Sequence, residues 1–304
     1  MVFSSFSIVF MTALVITPIV RWFALNNGLI DNTDGDSLKI HKKPVAILGG
    51  VAIVAAMGVG IFVYRIPHIV YRKELLGIIF AALSVFGIGV VDDMKGAKPQ
   101  IRFLVQVMAG IIVLLVGIKV NFIPIPIIAV PLTLFYIVGA TNAFNMIDGM
   151  DGLCAGISLI ACGGFFFIGV KQQNAFLMGS SLTLFAGLLG FFFYNFYPAK
   201  IFLGDAGSGF LGFIFGIMAI VTASNSYNFN NFISSILIIG IPVFDTAFAI
   251  LRRFVRKKPI FTGDRGHIYD LLLKKGLSQP KVWFIICGMQ LVLTAIGVSI
   301  YGYN

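Results

Sequence analysis

Charge is scarce in this sequence. Asp, Glu, Lys and Arg make up 11% of its 304 residues, whereas ordinary soluble domains carry about 25% charged residues. Acidic side chains are the rarer kind, since 12 Asp and Glu stand against 22 Lys and Arg. Hydrophobic residues make up 59% of the chain, and this balance excludes an ordinary soluble domain. The composition is that of an integral membrane protein.

Cysteine and histidine are also rare, with three of each in the chain. Cys154, Cys162 and Cys287 lack the paired spacing of a metal-binding or disulfide framework. They are predicted to be small buried hydrophobic side chains. The histidines are too far apart in sequence to form a ligand cluster. These absences exclude a metal site built on cysteine or histidine.

Long polar stretches are missing, because apolar runs of about 17 to 25 residues fill most of the chain. A helix rises about 1.5 Å per residue, so each run can cross about 30 Å of hydrocarbon. The runs show no period-2 alternation, which argues against a β-barrel. We predict an all-α, polytopic bundle with about ten spans, forming one membrane domain over residues 1–304. The predicted spans are 3–25, 46–64, 74–91, 101–119, 125–141, 153–170, 175–194, 207–223, 232–251 and 281–301.

The basic residues divide unequally between the loops on the two sides of the membrane. With the loops numbered alternately, seventeen Lys and Arg fall in one set and five in the other. Basic loops stay in the cytoplasm, so the first set is predicted to be cytoplasmic and both termini to face outward. Eleven of the twelve acidic residues follow the same division, with only Glu74 on the other side. Since topology does not require this, the acids indicate a functional site at the cytoplasmic face of the inner (plasma) membrane.

Two adjacent carboxylates, Asp92 and Asp93, close the third predicted span. They repel each other unless a cation or a proton lies between them, and Mg²⁺ prefers such oxygen ligands. The alternative is a solvated helix end, which Gly96 and Pro99 mark. The pair alone therefore does not establish a metal site.

Side chains with oxygen atoms recur every three residues between the fifth and sixth spans. Each step of three turns a helix by about 300°, so successive side chains of the series lie on one side of the helix. Gly149 and Gly152 would let the backbone approach a ligand closely. A capped helix junction accounts for one such residue but not for the whole series, which consists of Asn142, Asn145, Asp148 and Asp151.

Asp205 precedes a helix that is predicted to start near Gly207. Its simplest structural role is that of an N-cap. The surrounding glycines and the positive end of the helix dipole also suit an anion, such as a phosphate brought in by a metal ion. Capping and catalysis are compatible at this position.

The last cytoplasmic loop begins with a basic stretch, residues 252–258, and ends in a polar turn that contains Asp264, Arg265 and His267. The basic stretch is compatible with the positive-inside rule and with contact to anionic lipid. The polar turn is unlike membrane-surface sequence and indicates a functional role. Asp245, in the preceding span, fits a structural polar contact inside the bundle as well as a catalytic role.

Oxygen ligands for a hard metal, together with a ring of basic residues, suggest a phosphate-rich substrate, and the membrane setting suggests a lipid co-substrate. In order and spacing, segments 91–93, 142–152, 194–205 and 264–267 resemble the polyprenyl-phosphate N-acetylhexosamine-1-phosphate transferases of glycosyltransferase family 4. The resemblance covers nearly the whole chain. It implies a ten- or eleven-helix enzyme that moves a sugar 1-phosphate from a UDP-N-acetylhexosamine to a polyprenyl phosphate, such as undecaprenyl phosphate, and releases UMP.

The same resemblance implies a role for each candidate residue. Asp205 looks like a magnesium ligand, together with Asn145 or Asp148, and Mn²⁺ is the alternative metal. Asp92 and Asp93 resemble a pair that activates or positions the lipid phosphate, with Asp92 as the base, and His267 is the third implied catalytic residue. The Phe202 ring is available to stack on uracil. The implied substrate-binding residues are Lys39, Lys95, Asn142, Asp151, Asn195, Phe202 and Arg265.

Departures from the family pattern bear on the choice of sugar. The branch that uses UDP-N-acetylmuramoyl-pentapeptide shows adjacent histidines in the last cytoplasmic loop, where this chain has His267-Ile-Tyr269-Asp270. The branches that start O-antigen, enterobacterial common antigen or teichoic acid usually have further histidines there, and Ala46 stands where proline is common. UDP-N-acetylglucosamine or a close N-acetylhexosamine is favoured, for a cell-envelope polymer such as lipopolysaccharide. Pentapeptide transfer remains the alternative within the family.

A membrane transporter is the alternative from a different class. A transporter would place its ionisable groups near the middle of the membrane, whereas these are predicted to lie at one interface. A homodimer is compatible with the sequence, and no nucleic-acid partner is expected.

Overall fold

The computed structural model describes residues 2–32, 44–64, 72–224, 228–257 and 266–302. Within these ranges the chain is almost entirely helical, and two short strands, β1 (Ile30–Asp31) and β2 (Val45–Ala46), pair antiparallel. The helices are α1 (Val2–Asn26), α2 (Gly50–Val63), α3 (Arg72–Lys95), α4 (Pro99–Leu115), α5 (Pro126–Ile147), α6 (Leu153–Gln172), α7 (Ala175–Asn195), α8 (Gly204–Ser224), α9 (Phe229–Ile238), α10 (Gly240–Val255), α11 (Ile268–Lys274) and α12 (Gln279–Ile300).

Seven of these helices are long and apolar enough to cross a membrane: α1, α3, α5, α6, α7, α8 and α12. The all-α membrane fold is therefore confirmed. The α9–α10 pair makes an eighth candidate span if it is taken as one bent unit. The predicted spans 46–64 and 101–119 overlap the shorter helices α2 and α4, which have 14 and 17 residues. The predicted number of about ten spans is not confirmed.

Local sequence signals explain several helix ends. Pro99 and Pro126 are the first residues of α4 and α5, a position at which the missing N–H is no loss. The side chain of Asn174 caps α7 by accepting a hydrogen bond from the Leu177 N–H at 3.1 Å. Gly152, which precedes α6, has a φ of +68°, a conformation that suits glycine.

Helix α8 is the centre of the bundle. Of its most apolar 18-residue stretch, 94% is buried inside the protein, and it packs against α2, α3, α5 and α9. Small residues bring these backbones together: a Cβ atom added to Gly207 would lie 2.8 Å from the Gly50 Cα, and one added to Gly212 would lie 2.6 Å from the Ala140 carbonyl oxygen. Close approach through small residues is a common way to pack helices in membranes.

The helices alternate in direction at the polar end of the bundle. Helices α1, α3, α5 and α7 end there, and α2, α4, α6 and α8 begin there, because one cavity is lined by residues from the connections between them. β1 and β2 follow α1 and precede α2 at the same end. This up-and-down order gathers residues from distant parts of the sequence at one face of the membrane.

The axis bends by 88° between α9 and α10. Such a break exposes backbone groups that apolar surroundings cannot satisfy. The side chain of Gln290, on α12, supplies the missing partners: its Oε1 accepts from the Ile241 N–H at 2.9 Å, and its Nε2 donates to the Ile238 carbonyl at 2.8 Å. The predicted single span 232–251 is therefore two helices whose junction is held from a third.

Candidate active site

A cavity of about 380 Å³ opens at the polar end of the bundle. Seven of the residues predicted as site residues line it: Asp93, Asn145, Asp148, Asp151, Asn195, Phe202 and Asp205. Asp31, for which no role was predicted, lines it as well. The cavity thus brings together residues at four helix-to-helix connections of the bundle, α1–α2, α3–α4, α5–α6 and α7–α8.

Asp93 caps the central helix from another part of the chain. Its two carboxylate oxygens accept hydrogen bonds from the backbone N–H groups of Asp205, at 2.8 Å, and Ala206, at 3.1 Å. These N–H groups lie in the first turn of α8, where they have no partner within the helix. Gly204 makes the contact possible, because its φ is +78° and an added Cβ would lie 2.6 Å from Asp93 Oδ2.

This arrangement corrects the expected start of α8. The helix begins at Gly204 rather than near Gly207, so Asp205 lies inside the first turn and is not the N-cap. The first turn can form there because the Asp93 carboxylate satisfies its N–H groups. The side chain of Asp205 is thereby left to face the cavity.

Arg102, at the start of α4, joins three of the predicted site residues. Its Nη1 pairs with the Asp92 carboxylate and lies 3.3 Å from Asp205 Oδ2. Its Nη2 donates to Asn145 Oδ1 at 2.8 Å. The Asn145 amide nitrogen in turn donates to Asp205 Oδ1. One guanidinium therefore compensates the negative charge of carboxylates from two helices and orients the side-chain amide of a third helix.

Asp148 follows α5 directly and lies in the cavity wall. Burial raises its pKa well above the ordinary value, and the charges of Asp205, Asp93 and Asp151 raise that pKa further. A carboxyl group in such surroundings ionises readily only when a cation is near. Asp148 is thus suited to a site that is completed by a positively charged ligand.

Asp151 and Asn195 hold the loop between α7 and α8. Asp151 Oδ2 accepts from the Ala199 N–H at 2.9 Å, and Asn195 Nδ2 donates to the Ile201 carbonyl at 3.0 Å. The end of this loop is fixed to β2 and α2, since the Phe202 N–H donates to the Ala46 carbonyl at 2.8 Å. The predicted nucleotide contacts therefore also shape the cavity wall.

Other predicted residues lie outside the cavity lining. Asp92 and Asp205 both pair with Arg102, and Asp92 Oδ1 accepts from the Ala97 N–H at 2.6 Å. Asn142 donates to Gln106 Oε1 at 2.6 Å and to the Val138 carbonyl. Lys95 is exposed at the end of α3. Lys39 and Arg265 fall outside the described residues, and the roles predicted for all five stay predictions.

His267 is held beside the cavity rather than in its wall. Its Nδ1 lies 2.6 Å from Asp245 Oδ2, and both side chains are buried, with 7% and 8% of their surface exposed. The ring of Tyr269 stacks on His267 with centroids 5.6 Å apart. The Tyr269 hydroxyl packs against Gly149, which lines the cavity.

The donor atoms around the cavity fit a hard cation. Asp205 and Asp148 offer carboxylate oxygens and Asn145 an amide oxygen, which are donors that Mg²⁺ prefers. In the described part of the chain, no three His, Cys, Asp or Glu side chains form a complete metal cage. Mg²⁺ usually binds through one or two carboxylates, with water and substrate phosphates completing its shell, so this donor set fits.

The fold and the cavity define a multi-pass membrane protein whose polar site lies at one end of a helical bundle. The family model described as glycosyl transferase family 4 matches residues 75–223, and the chain belongs to this family. The matched segment runs from α3 through α8 and carries the Asp92–Asp93 pair, the 142–152 series and Asp205. The family resemblance seen in the sequence is confirmed.

Curated relatives agree with this assignment. A probable undecaprenyl-phosphate N-acetylglucosaminyl 1-phosphate transferase of Bacillus subtilis is 35% identical over 93% of this chain and 80% of its own length. An undecaprenyl-phosphate alpha-N-acetylglucosaminyl 1-phosphate transferase of Yersinia pestis is 29% identical over 95% and 82%. A decaprenyl-phosphate N-acetylglucosaminephosphotransferase of Mycobacterium tuberculosis is 27% identical over 81% and 70%. These relatives span both α3–α8 and the segments on either side of it.

Proposed function

We propose that this protein transfers N-acetylglucosamine 1-phosphate from UDP-N-acetylglucosamine to a polyprenyl phosphate. An oxygen of the lipid phosphate attacks the β-phosphorus of the donor. The bond from that phosphorus to the bridging oxygen breaks, and UMP leaves with the bond's electron pair. The products are a lipid-linked diphosphosugar and UMP, as expected for the first step of a cell-envelope polysaccharide.

The observation that carries the proposal is the meeting of acidic and amide side chains from separate helix ends in one cavity at the polar end of a membrane bundle. Two phosphate groups that react with each other are both negatively charged, so catalysis depends mainly on charge neutralisation and alignment. The names of the relatives, which specify a polyprenyl phosphate and N-acetylglucosamine 1-phosphate, support the same reaction.

Asp205, Asn145 and Asp148 would hold Mg²⁺, or Mn²⁺ in its place. The metal would supply positive charge to the phosphates of the donor. Asp93 fixes the first turn of α8 and thus the position of Asp205. Arg102 neutralises the carboxylates that face each other across α3 and α8.

The remaining residues are proposed to bind substrates. Asp151, Asn195 and Phe202 line the side of the cavity formed by the α7–α8 loop, where the nucleotide would lie. Asp92 is proposed as the base for the lipid phosphate, and His267 as a contact to a phosphate. The excess of basic residues on the same side supports an active site facing the cytoplasm in the inner membrane.

The test is an assay of the purified protein with undecaprenyl phosphate, Mg²⁺ and a panel of radiolabelled UDP-sugars. The panel includes UDP-N-acetylglucosamine, UDP-N-acetylgalactosamine and UDP-N-acetylmuramoyl-pentapeptide. We expect labelled lipid from UDP-N-acetylglucosamine, one UMP for each lipid formed, and no product after chelation of the metal. If no sugar labels the lipid, the proposed function is wrong; if only the pentapeptide donor does, the substrate assignment is wrong.

A further inference from the structure

Asp245 lies in α10, seven residues before Arg252, and holds the segment that carries His267. Its Oδ2 lies 2.6 Å from His267 Nδ1, and its Oδ1 accepts from the Ile268 N–H at 2.8 Å. Both carboxylate oxygens thus contact consecutive residues at the start of α11. With only 8% of its side chain exposed, Asp245 needs such partners to be buried at all.

The contact between Asp245 and Nδ1 determines which ring nitrogen of His267 remains available to a substrate. A carboxylate oxygen can only accept a hydrogen bond, so the contact favours the tautomer in which Nδ1 carries the proton. Nε2 is then the ring nitrogen with which His267 can contact a phosphate oxygen. The plane of the ring is fixed as well, because Tyr269 stacks on it with an interplanar angle of 7°.

The pair is connected to the cavity through packed side chains. Tyr269 packs against Gly149 in the cavity wall. On the other side, Thr246, the neighbour of Asp245, has its hydroxyl 3.8 Å from the Met146 sulfur, two residues before Asp148. Helix α10 is therefore in contact with the end of α5, from which Asn145 and Asp148 project.

We infer that Asp245 is a positioning residue, which acts through His267 by fixing its Nδ1–H tautomer and the orientation of its ring toward a substrate phosphate. The inference rests on the proposed function, which supplies the substrate phosphate. The contacts between Asp245 and His267 are independent of that function. A carboxylate that merely caps α11 would need only the contact to Ile268. The second, shorter contact to Nδ1 is the one that a positioning role uses.

The kinetic test is a double-mutant cycle in the assay described above. Asp245→Asn keeps an oxygen that can cap α11 but places an NH2 donor beside Nδ1, which cannot accept a hydrogen bond from Nδ1–H. We expect kcat to fall about 10- to 100-fold with KM for both substrates nearly unchanged, as for other orienting carboxylates. His267→Gln should be impaired at least as strongly, and the double variant should be no slower than His267→Gln alone. Independent, multiplicative losses would overturn the inference.

The spectroscopic test does not depend on turnover. Nitrogen-15 labelling of the three histidines, with His267→Gln to assign the signals, shows which ring nitrogen of His267 is protonated. We expect Nδ1–H in the wild type and a shift toward Nε2–H in Asp245→Asn. An unchanged His267 spectrum in that variant refutes the positioning role. If the wild type makes no labelled lipid, the proposed function fails while this readout still decides the tautomer.

A matched control separates capping from positioning. Asn174→Ala removes the side-chain cap of α7, which accepts from the Leu177 N–H, at a helix start far from His267 in sequence. It should lower the melting temperature, as the loss of a cap does, without changing kcat or the His267 signals. A fall in kcat in this control equal to that of Asp245→Asn would mean that loss of a cap explains both.

Discussion

At the scale of single residues, Asp205 is the carboxylate on which most contacts of the site meet. It faces the cavity, accepts a hydrogen bond from Asn145, and its Oδ2 lies 3.3 Å from Arg102 Nη1. Asp205→Asn keeps the shape of the side chain but removes its charge. We expect turnover to fall by at least about 1,000-fold, since a proposed metal ligand is lost. Membrane insertion and thermal stability should be close to those of the wild type.

The measurement is the rate of lipid labelling per mole of folded, purified protein. A titration with Mg²⁺ shows whether a loss of turnover reflects the loss of a metal ligand. A variant that lacks a ligand should need more Mg²⁺ or fail at any concentration. Near-normal turnover at ordinary Mg²⁺ would remove Asp205 from the metal site.

Arg102 leads to a second prediction about the metal, in which Mg²⁺ compensates for a lost charge rather than for a lost ligand. Arg102→Gln leaves Asp92 and Asp205 without their shared positive charge, and hydrogen bonds to charged groups contribute about 1.5–3 kcal/mol each. We expect turnover at low Mg²⁺ to fall about 10- to 100-fold and to recover partly as Mg²⁺ is raised, because the metal replaces the missing charge. The control is Lys98→Gln, which removes an exposed cation one turn away. A loss that Mg²⁺ does not relieve would contradict this role.

The sequence reveals site residues that stand close together more readily than it reveals contacts between residues far apart. Asp92–Asp93 and the 142–151 series are visible because several oxygen-bearing side chains stand close together in the sequence. Arg102 meets Asp205 across 103 residues, and Asp245 meets His267 across 22. No spacing rule links such pairs, so only the folded structure reveals that Arg102 on α4 reaches Asp205 on α8 and that Asp245 on α10 reaches the start of α11.

At the scale of elements, the junction of α3 and α8 depends on Gly204. Its φ of +78° and its contact with Asp93 both exclude a Cβ atom, which would lie 2.6 Å from Asp93 Oδ2. Gly204→Ala should therefore displace either the carboxylate or the first turn of α8. We expect a cost of about 1–3 kcal/mol in stability and about a 100-fold loss of turnover, because Asp205 moves with that turn.

The matched control lies on the same helix. At Gly209 an added Cβ would be 3.7 Å from Val85, an ordinary van der Waals distance. Gly209→Ala should be neutral or slightly stabilising, since alanine favours a helix. Thermal unfolding in detergent and lipid labelling measure both effects. Equal behaviour of the two variants would show that the close approach at Gly204 is not required.

Helix positions followed from the sequence more closely than helix interruptions did. Each predicted span overlaps a helix, because an apolar run in a membrane must satisfy its backbone internally. The sequence predicts one continuous span over 232–251, whereas the structure has a bend between α9 and α10. Gly240 and Pro242 lie at this break. The break is stable because Gln290 supplies the backbone partners, and Gln290 stands about 50 residues further along the chain.

At the scale of the whole molecule, the up-and-down order of the helices makes a prediction about orientation. The cavity collects the ends of α1, α3, α5 and α7, so the α4–α5 connection lies at the opposite end of the bundle. Lys98, between α3 and α4, and Lys119, between α4 and α5, are both exposed and should face opposite sides of the membrane. The excess of basic residues assigns Lys98 to the cytoplasm.

Single cysteine substitutions at these two positions test the orientation. The native Cys154, Cys162 and Cys287 are buried and should react little with a thiol reagent. In intact cells, a membrane-impermeant maleimide should label Lys119→Cys and not Lys98→Cys, and in inverted vesicles the pattern should reverse. Turnover of both variants in detergent confirms that they are folded. Labelling of both positions from the same side would contradict the helix order, whereas the opposite pattern would keep the fold but place the cavity outside. That second result would separate the site from cytoplasmic UDP-sugars. The proposed donor therefore requires a cavity that faces the cytoplasm.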